Sequence, residues 1–480
     1  MKLKEIEIIN YKALYGLHKI NLTNKGKNLM LYGENGSGKS SVCKALKTFF
    51  QSSVSEIDIL KDENVFLAPA DRGNGFIKLT FGNQGEARNN RHFTLDATNK
   101  RLNEQFISEA NKIKGFLDYK QLLRTHFING DQVNVFELLV EDLLTDAINP
   151  ITTNPIKTDW ADLQERIKEN RNTRKYKDII DANLLSNFNT GLNQLLTEIE
   201  TKANEIIDLF KYNVKIHFKF NNITIGSGKG CANKNIFLQI DFFNQPRLPK
   251  HHHFLNEARL TAISIAIYLG SVLNSISGTQ YKILVLDDIF IGLDTSNRIH
   301  FLEVLSTKFS DYQIIMTTYD KYWYEVVKQT MGEGNWHYAE MYVKEEHQNG
   351  FEIPIINEMD FIAQAEYYLN QKADLKASAV YIRSAFEQML KNYCSKYRCK
   401  VDFNLNPSKV SAEILWNSVK NNTKTDGSRR IPETLRDNIE TQRTLVMNPF
   451  VHYDITRPQF RAELTSTIAY VKQLQTELNS

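Results

Sequence analysis

The sequence predicts an α/β protein with a nucleotide-binding domain and an additional helical part toward its carboxyl end. Three patterns lead to this prediction. A glycine-rich turn at residues 33–40 follows an apolar strand, and a second apolar strand at residues 282–286 ends in two aspartates. Apolar residues after position 360 recur every three or four positions, which is the period of an α-helix. Buried strands that present loops and carboxylates at their ends are typical of parallel sheets covered by helices.

Composition limits the possible classes of protein. A chain of 480 residues is too long for one ordinary core, so we expect two or three domains. Lysine plus arginine (59) nearly equals aspartate plus glutamate (56), so the net charge does not indicate a polyanionic partner for the whole chain. The four cysteines are Cys43, Cys231, Cys394 and Cys399. They are too few and too irregularly spaced for a disulfide scaffold or a paired zinc site, which predicts a reduced, cytoplasmic protein.

The amino-terminal residues predict strands and not a targeting segment. Residues 1–9 alternate polar and apolar side chains and contain no secretory apolar core. The most apolar later stretch, residues 260–273, is too short to span a bilayer, so no membrane span is predicted. A second strand and the apolar run at residues 28–32 follow, and a helix is predicted over residues 40–50 with Val42, Leu46 and Phe49 on one side.

The turn between this third strand and the helix fits the phosphate-binding pattern G-x-x-x-x-G-K-[ST]. The predicted nucleotide-binding residues are Gly33, Glu34, Asn35, Gly36, Ser37, Gly38, Lys39, Ser40 and Ser41. Glycines allow backbone N–H groups to surround phosphate oxygens, Lys39 supplies a positive charge to the terminal phosphates, and the Ser40 hydroxyl is a magnesium ligand. The pattern therefore predicts binding of a nucleoside triphosphate with Mg²⁺.

The strand at residues 282–286 ends in Asp287 and Asp288. Carboxylates at the carboxyl end of a buried parallel strand are suited to hold magnesium (Asp287) and to orient an attacking water as general base (Asp288). The alternative is that the two aspartates only cap the next helix. The phosphate-binding turn upstream favours the catalytic interpretation.

Four motifs in order carry a family resemblance. Residues 255–259 read Leu-Asn-Glu-Ala-Arg before the apolar helix at 260–273, residues 292–294 read Gly-Leu-Asp, and the strand at 313–318 leads to Tyr319. With the phosphate turn and the aspartates, these resemble the signature, D-loop and switch segments of ABC-type ATPases. The resemblance is to the RecF, RecN and SMC-like branch, because 248 residues separate Lys39 from Asp287.

Within that branch the chain is similar to compact ATPases of bacterial anti-phage systems, such as the PtuA component of Septu. The resemblance implies an ATPase head split by a short helical arm, with ATP and Mg²⁺ as cofactors. It implies an assembly in which paired heads enclose ATP and control a partner nuclease. Domain boundaries are expected at 1–154 (first lobe), 155–211 (arm), 212–356 (second lobe) and 357–480 (helical bundle). The alternatives are a DNA repair or chromosome-maintenance ATPase that clamps DNA, and an ATP-gated ribonuclease.

Departures from the family pattern predict slow hydrolysis. Asn256 replaces the signature serine that contacts a partner's γ-phosphate, although its amide still donates hydrogen bonds. Asp288 replaces a glutamate, and Tyr319 replaces the switch histidine with a phenol, which is a poor base near neutral pH. For the Q-loop of the family, Gln132 is one candidate and His126 the other, and an ordinary loop amide is an equal alternative.

The insertion at residues 155–211 has helical spacing and predicts two antiparallel helices. Its expected tip, residues 171–177, is basic and aromatic, and either contacts nucleic-acid phosphates or is a solvated helix face. Residues 251–253 are three histidines, which we interpret as a polar loop. Adjacent side chains point apart and do not converge on one metal ion.

Arg443, Met447, Asn448 and His452 lie between two helices predicted in the carboxyl-terminal part. Helices are predicted over residues 360–400 and 458–478. The arrangement is similar to HEPN bundles, whose ribonuclease members carry R-x(4-6)-H, but Met447 stands where arginine is expected. A bundle for oligomerisation or partner docking is therefore preferred over a ribonuclease.

Overall fold

We describe the protein from a computed structural model. It describes residues 1–479 except 87, 126–131, 170, 227–229, 275–277, 347–350, 402–410, 425–426 and 452–459. The chain divides into two compact units, Met1–Asn357 and Glu358–Ser480. Each unit has a hydrophobic core of its own. Within the described residues, no helix has the length and apolar character needed to cross a membrane.

The first unit alternates strands and helices. Its strands are β1 (Lys2–Tyr11), β2 (Leu14–Asn21), β3 (Asn28–Gly33), β4 (Phe76–Gly82), β5 (Arg91–Leu95), β6 (Phe116–Asp118), β7 (Val214–Asn221), β8 (Thr224–Ile225), β9 (Cys231–Ala232), β10 (Asn235–Phe242), β11 (Gln245–Leu248), β12 (Ile283–Asp287), β13 (Gln313–Thr318), β14 (Trp336–Glu346) and β15 (Phe351–Asn357). Its helices are α1 (Lys39–Gln51), α2 (Gln105–Lys112), α3 (Tyr119–Leu123), α4 (Phe136–Leu138), α5 (Ile156–Lys168), α6 (Arg174–Asp181), α7 (Leu184–Leu209), α8 (Glu257–Leu273), α9 (Thr295–Lys308) and α10 (Lys321–Met331). Short 3-10 turns lie at Ile59–Asp62, Pro69–Asp71 and His251–His253, and a π-helical turn, Leu139–Leu143, continues α4.

The central sheet has the strand order β15-β14-β3-β13-β12-β6. All neighbours are parallel except β15, which is antiparallel to β14. The register aligns Asp287 with Thr317 and Thr318 with Tyr32, so β3, β12 and β13 end at the same edge. Residues 283–286 are fully buried, which confirms the predicted parallel strand before the aspartates.

A second, antiparallel sheet has the order β2-β1-β4-β5. Helix α1 shares a core with it, and buries Val42, Leu46 and Phe49 as the sequence predicts. This packing fixes the axis of α1, so the turn before the helix is held between both sheets.

The helical insertion differs from the prediction of two helices. Its described residues form three, because α6 occupies the expected tip and is stabilised by ion pairs such as Arg174–Asp178 (2.8 Å) and Lys175–Glu165 (3.4 Å). Helix α7 belongs to the same core as α8 and β7. At Gly270 of α8 an added Cβ would approach the backbone nitrogen of Ala203 to 3.0 Å. The insertion is therefore packed into the head.

The apolar residues of the segment 133–144 are spaced as in an amphipathic helix, but the helix begins only at Phe136. Val133 and Val135 lie outside the helix, and their backbone groups bond to β10: the N–H of Leu238 donates to Val133 O (3.1 Å), and the N–H of Val135 donates to Ile236 O (2.8 Å). The apolar periodicity of this segment therefore spans two kinds of structure.

The second unit is helical, as predicted. Its helices are α11 (Phe361–Tyr367), α12 (Leu375–Tyr397), α13 (Ala412–Val419), α14 (Glu433–Gln442), α15 (Asn448–Val451) and α16 (Arg461–Asn479), with π-helical turns at Tyr368–Lys372 and Arg443–Met447. The expected single helix over 360–400 is interrupted at Ala373 (φ 53°), after which Asp374 caps α12 by accepting from the N–H of Ala377. Met447 is buried, and His452 lies outside the described residues.

Candidate functional site

The phosphate-binding turn lies between β3 and α1. It contains all of the predicted residues Gly33, Glu34, Asn35, Gly36, Ser37, Gly38, Lys39, Ser40 and Ser41. Gly36 (φ 89°) and Gly38 (φ 96°) adopt left-handed backbone conformations that side chains disfavour. Gly38 is also the N-cap of α1, and no side chain caps the first turn of that helix. The N–H groups of this turn and the helix dipole therefore form an anion site.

Lys39 crosses the inside of the turn. Its side chain is nearly buried, and Nζ donates to Gly33 O (2.7 Å) and Glu34 O (3.1 Å). The Ser37 hydroxyl is fully buried and has no hydrogen-bond partner among the described residues. A buried hydroxyl without a protein partner is normally satisfied by a bound ligand or water. Ser41 differs, because its Oγ accepts from the N–H of Ala13 (3.3 Å) and holds the β1–β2 turn against α1.

The two aspartates lie beside this turn. Asp288 Oδ2 is 3.6 Å from Lys39 Nζ, although the two residues are far apart in sequence. The Thr317 hydroxyl, at the end of β13, donates to Asp287 Oδ1 (2.8 Å) and accepts from the backbone N–H of Asp288 (3.1 Å). The backbone N–H of Tyr319 donates to Asp288 Oδ1 (3.0 Å). The structure thus brings Lys39, both aspartates and the backbone of Tyr319 together.

The electrostatics of the site follow from its burial. Burial raises the pKa of Asp288, with Lys39 opposing that rise and Asp287 adding to it. Burial likewise raises the pKa of the Cys43 thiol, and the carboxylates of Asp287 and Asp288 add to this. Asp287 therefore lies against the face of α1 that carries Cys43. Ser40, one turn earlier, is on the same face.

Asn256 and Gln132 are placed differently. Asn256 is exposed and is the N-cap of α8, where its Oδ1 accepts from the N–H of Arg259 (3.1 Å). Gln132 is exposed beside Val133, whose backbone bonds to β10. Within the described residues, no contact joins either side chain to Lys39 or Asp288. His126, the other Q-loop candidate, lies outside the described residues.

Sequence reasoning missed Arg298, which connects two loops of the site. Its guanidinium donates to Leu293 O (2.8 Å) and Phe290 O (3.3 Å), and pairs with Asp320 Oδ2 at 2.6 Å. Asp320 is the N-cap of α10 and follows Tyr319. Burial acts to raise the pKa of Asp320, but the N–H of Trp323 and the Arg298 guanidinium hold it below its usual value. In sequence, Arg298 looks like any surface arginine of a helix.

A pocket that the sequence patterns do not predict adjoins the phosphate-binding turn. A cavity of about 740 Å³ adjoins Gly36 and is lined by Lys12, Ala13, Lys61, Asp62, Glu63, Asn64, Val65, Phe66, Val343, Phe351, Glu352 and Pro354. Phe66 and Phe351 stack at 4.7 Å with an interplanar angle of 5°. The volume is in the range of ligand pockets, about 300–1,000 Å³. Phe66 is 54% exposed, so its ring can be reached from solvent.

Gly292 lies in close contact with the first turns of helix α8. Its φ is 95°, and an added Cβ would lie 2.9 Å from Thr261 Oγ1 and 3.2 Å from Glu257 Cγ. Residues 290–294 therefore pack directly on the first turns of α8.

Comparison with known families agrees with this arrangement. Residues 2–335 match the RecF/RecN/SMC N terminal domain. The chain belongs to the RecF/RecN/SMC family. It is therefore an ABC-type ATPase of the SMC/RecF-like kind, which confirms the branch that the motifs predict. Members of this family usually hydrolyse ATP, so ATP use is expected of this RecF/RecN/SMC chain as well.

Solved SMC heads resemble this RecF/RecN/SMC chain at low sequence identity. The Smc head domain from Pyrococcus furiosus, bound to the C-terminal domain of ScpA, shares 12% identity over 78% of this chain and 99% of its own, with a TM-score of 0.43. An SmcHead bound to the C-winged helix domain of ScpA shares 12% identity over 75% of this chain and 98% of its own, with a TM-score of 0.42. The SMC head domain from Thermotoga maritima shares 13% identity over 75% of this chain and 100% of its own, with a TM-score of 0.36. No protein of curated function matches the chain.

Proposed function

We propose that the site binds ATP and hydrolyses it slowly. The observation that carries this proposal is the approach of Asp288 to Lys39 at the mouth of the glycine turn (3.6 Å). Lys39 would contact the terminal phosphates, and the uncapped first turn of α1 would bind their oxygens. The cavity beside Gly36 would take the nucleoside, with its base against Phe66 and Phe351.

The donor set fits magnesium. The Ser40 hydroxyl and the Asp287 carboxylate are oxygen ligands of the kind that Mg²⁺ prefers, and they lie by the same face of α1. When bound, the ion neutralises charge on the phosphate oxygens. Thr317 holds Asp287 in position by donating to Oδ1 (2.8 Å), which leaves the other carboxylate oxygen for the ion.

Asp288 is the proposed general base. Lys39 and the N–H of Tyr319 favour its ionised form, whereas burial disfavours it. Tyr319 offers a phenol where the family has a histidine, so it donates a hydrogen bond but does not become cationic. Turnover is therefore slow, and the bound triphosphate state is long-lived.

We further propose that two heads pair with ATP between them. The exposed amino terminus of α8 presents Asn256 for contact with a partner's γ-phosphate. Residues 290–294 pack on the same helix through Gly292, and Arg298 links them to Asp320. Binding of ATP in one head would thereby influence the surface, formed by the start of α8 and residues 290–294, that this head presents to the other.

The paired state would control a partner nuclease in anti-phage defence. Similarity of the motifs and chain size to PtuA-like ATPases supports this part of the proposal. Co-purification of the chain with a nuclease encoded beside it, and loss of phage protection in Lys39→Ala, are the expected results. ATP-dependent clamping of duplex DNA without a nuclease would instead support a repair role. Toxicity that disappears in His452→Ala would support a HEPN-like ribonuclease.

Nucleotide binding is tested first. Lys39→Ala should lose affinity for a fluorescent ATP analogue by more than about 100-fold, because the substitution removes the buried positive charge that is proposed to bind the phosphates. Lys44→Ala, an exposed lysine on the same helix, is the matched control and should bind normally. Unchanged affinity in Lys39→Ala would remove the phosphate-site assignment.

Head pairing is tested by light scattering after size exclusion. Asp288→Asn should bind ATP without turnover and accumulate as a dimer. Asn256→Asp added to that background places a negative charge near the γ-phosphate and should prevent dimerisation. Asn256→Ser restores the family's residue, can still cap α8, and should dimerise. Dimerisation of the Asn256→Asp variant would contradict contact between Asn256 and a partner's nucleotide.

A further inference from the structure

We propose that one end of the helical second unit binds single-stranded nucleic acid. This surface, the basic end, consists of Lys396, Arg398, Lys400, Lys424, Arg429, Arg430 and Tyr397. It lies at the carboxyl end of α12 and in the turn that follows α13. The inference uses none of the residues proposed to bind ATP and does not depend on that proposal.

Positive charge is concentrated in this part of the sequence. Residues 388–432 contain nine lysines and arginines but three aspartates and glutamates. The whole chain carries a formal charge of only +3, so this segment is far more basic than the remainder. A local cluster of this kind is the electrostatic footprint of a polyanion site.

Contacts bring the two parts of the basic end together. The side-chain amide of Asn422 donates to Tyr393 OH (3.2 Å) and to Cys399 Sγ (3.4 Å). The backbone N–H of Arg430 donates to Asn422 O (3.0 Å). The guanidinium of Arg430 then lies 5.3 Å from the ring centre of Tyr397. The end of α12 and the described residues 422–424 and 427–430 thus form one surface.

The cations of the basic end are not neutralised. In the described parts of the chain, none of the six forms an ion pair with a carboxylate. Other cations of the unit do, including Arg383 with Glu387 (2.9 Å) and Lys472 with Glu366 (2.6 Å). The dipole of α12 favours cations at its carboxyl end, which accounts for Lys396 and Arg398. It does not account for the basic residues of the turn.

Tyr397 supplies the second half of a nucleic-acid site. Tyr397 is 42% exposed, and two cations lie near its ring, Arg430 (5.3 Å) and Lys396 (5.1 Å). The ring of Tyr393 packs against it at 4.6 Å between ring centres. The buried Nε of Arg430 has no acceptor among the described residues. An exposed aromatic ring among cations stacks on an unpaired base while the cations bind its backbone. A duplex hides its bases, so a single strand is preferred.

The charge contribution is tested by fluorescence anisotropy on the full chain. The probes are fluorescein-labelled dT20, U20 and a 20-base-pair duplex, each over a range of salt concentrations. Lys424→Gln with Arg429→Gln removes two phosphate contacts, and should weaken single-strand binding about 25-fold at 0.1 M salt and reduce the salt slope by about 1.4. Lys372→Gln with Lys472→Gln removes the same charge elsewhere in the unit and should bind normally.

The stacking contribution is tested at Tyr397. Tyr397→Ala should lose about tenfold in affinity, whereas Tyr397→Phe keeps the ring and should stay within about twofold of the wild type. Circular dichroism of each variant checks that the helices remain. Binding of dT20 alone or of U20 alone supports the proposal and identifies the strand chemistry.

Three results would overturn the proposal. One is equal affinity of wild type and the Lys424/Arg429 variant for single strands. Another is duplex binding as tight as single-strand binding. The third is that no oligonucleotide binds, while vesicles containing phosphatidylserine bind the wild type and lose binding in the same variant. That result would assign the basic end to an anionic lipid surface.

Discussion

Thr317→Val removes one hydroxyl that bonds to the carboxylate of Asp287 and to the backbone of Asp288. Thr317 is fully buried at the end of β13, and valine has nearly the same shape. Its Oγ1 donates to Asp287 Oδ1 (2.8 Å) and accepts from the N–H of Asp288 (3.1 Å). Asp288 sits at φ 51°, a left-handed conformation that needs support from its surroundings. The substitution therefore keeps both aspartates in the sequence but removes two hydrogen bonds that orient them.

The magnitude follows from the two hydrogen bonds. A bond to a charged carboxylate contributes about 1.5–3 kcal/mol, and a neutral one about 1 kcal/mol. Thr317 is proposed to position the aspartates without touching the nucleotide, so the loss should fall on turnover. We expect kcat to decrease about 10- to 100-fold, which corresponds to about 1.4–2.7 kcal/mol of lost positioning. Affinity for ATP should change by less than about twofold, because Lys39 and the glycine turn are untouched.

Phosphate release over a range of ATP concentrations gives kcat and KM, and a fluorescent analogue gives the binding affinity. Thr317→Ser keeps the hydroxyl and is the matched control, with near wild-type turnover expected. The reasoning would be refuted by a Thr317→Val enzyme with unchanged kcat. An equal decrease in Thr317→Val and Thr317→Ser would also refute it, because the hydroxyl would then not be the cause.

Three further predictions concern the surrounding residues. Asp288→Asn should abolish turnover while ATP affinity is kept, as measured by phosphate release and analogue binding. Phe66→Ala should raise KM for ATP about tenfold through lost stacking, with kcat unchanged; an unaltered KM would place the base elsewhere. Asp320→Asn should lower the free energy of unfolding by about 2 kcal/mol at pH 7, because Arg298 loses its charged partner. The folded pKa of Asp320 is depressed, so its stabilisation is present above the unfolded pKa and is lost as pH falls through the folded value. Denaturant titrations should therefore show the two proteins converging below about pH 4, and a constant difference at all pH values would contradict this.

Local patterns predicted much of the fold. The glycine spacing, the buried strand ending in Asp287 and the apolar helix after Asn256 each reflect constraints that act within a dozen residues. Such constraints are visible in sequence because turns, parallel strands and buried helices demand particular residue types. The same logic failed at residues 133–135, where pairing with β10 overrides a helical pattern. It failed again in the insertion, whose described residues form the three helices α5, α6 and α7 where the pattern predicted two.

Features built from distant segments could not be predicted. Arg298 acts through the carbonyl groups of Leu293 and Phe290 and through Asp320, which lies 22 residues away in sequence. The cavity beside Gly36 combines residues 12–13, 61–66 and 343–354, which no spacing rule links. Its aromatic residues look like ordinary loop and strand positions until the fold places Phe66 against Phe351.

The stacked pair of Phe66 and Phe351 connects the proposed nucleoside pocket to the last strand of the central sheet. Phe351 opens β15, and that strand ends at Asn357, the last residue of the first unit. Because β15 pairs with β14 along its whole length, a nucleoside seated on Phe351 would rest on a strand that the central sheet holds in place.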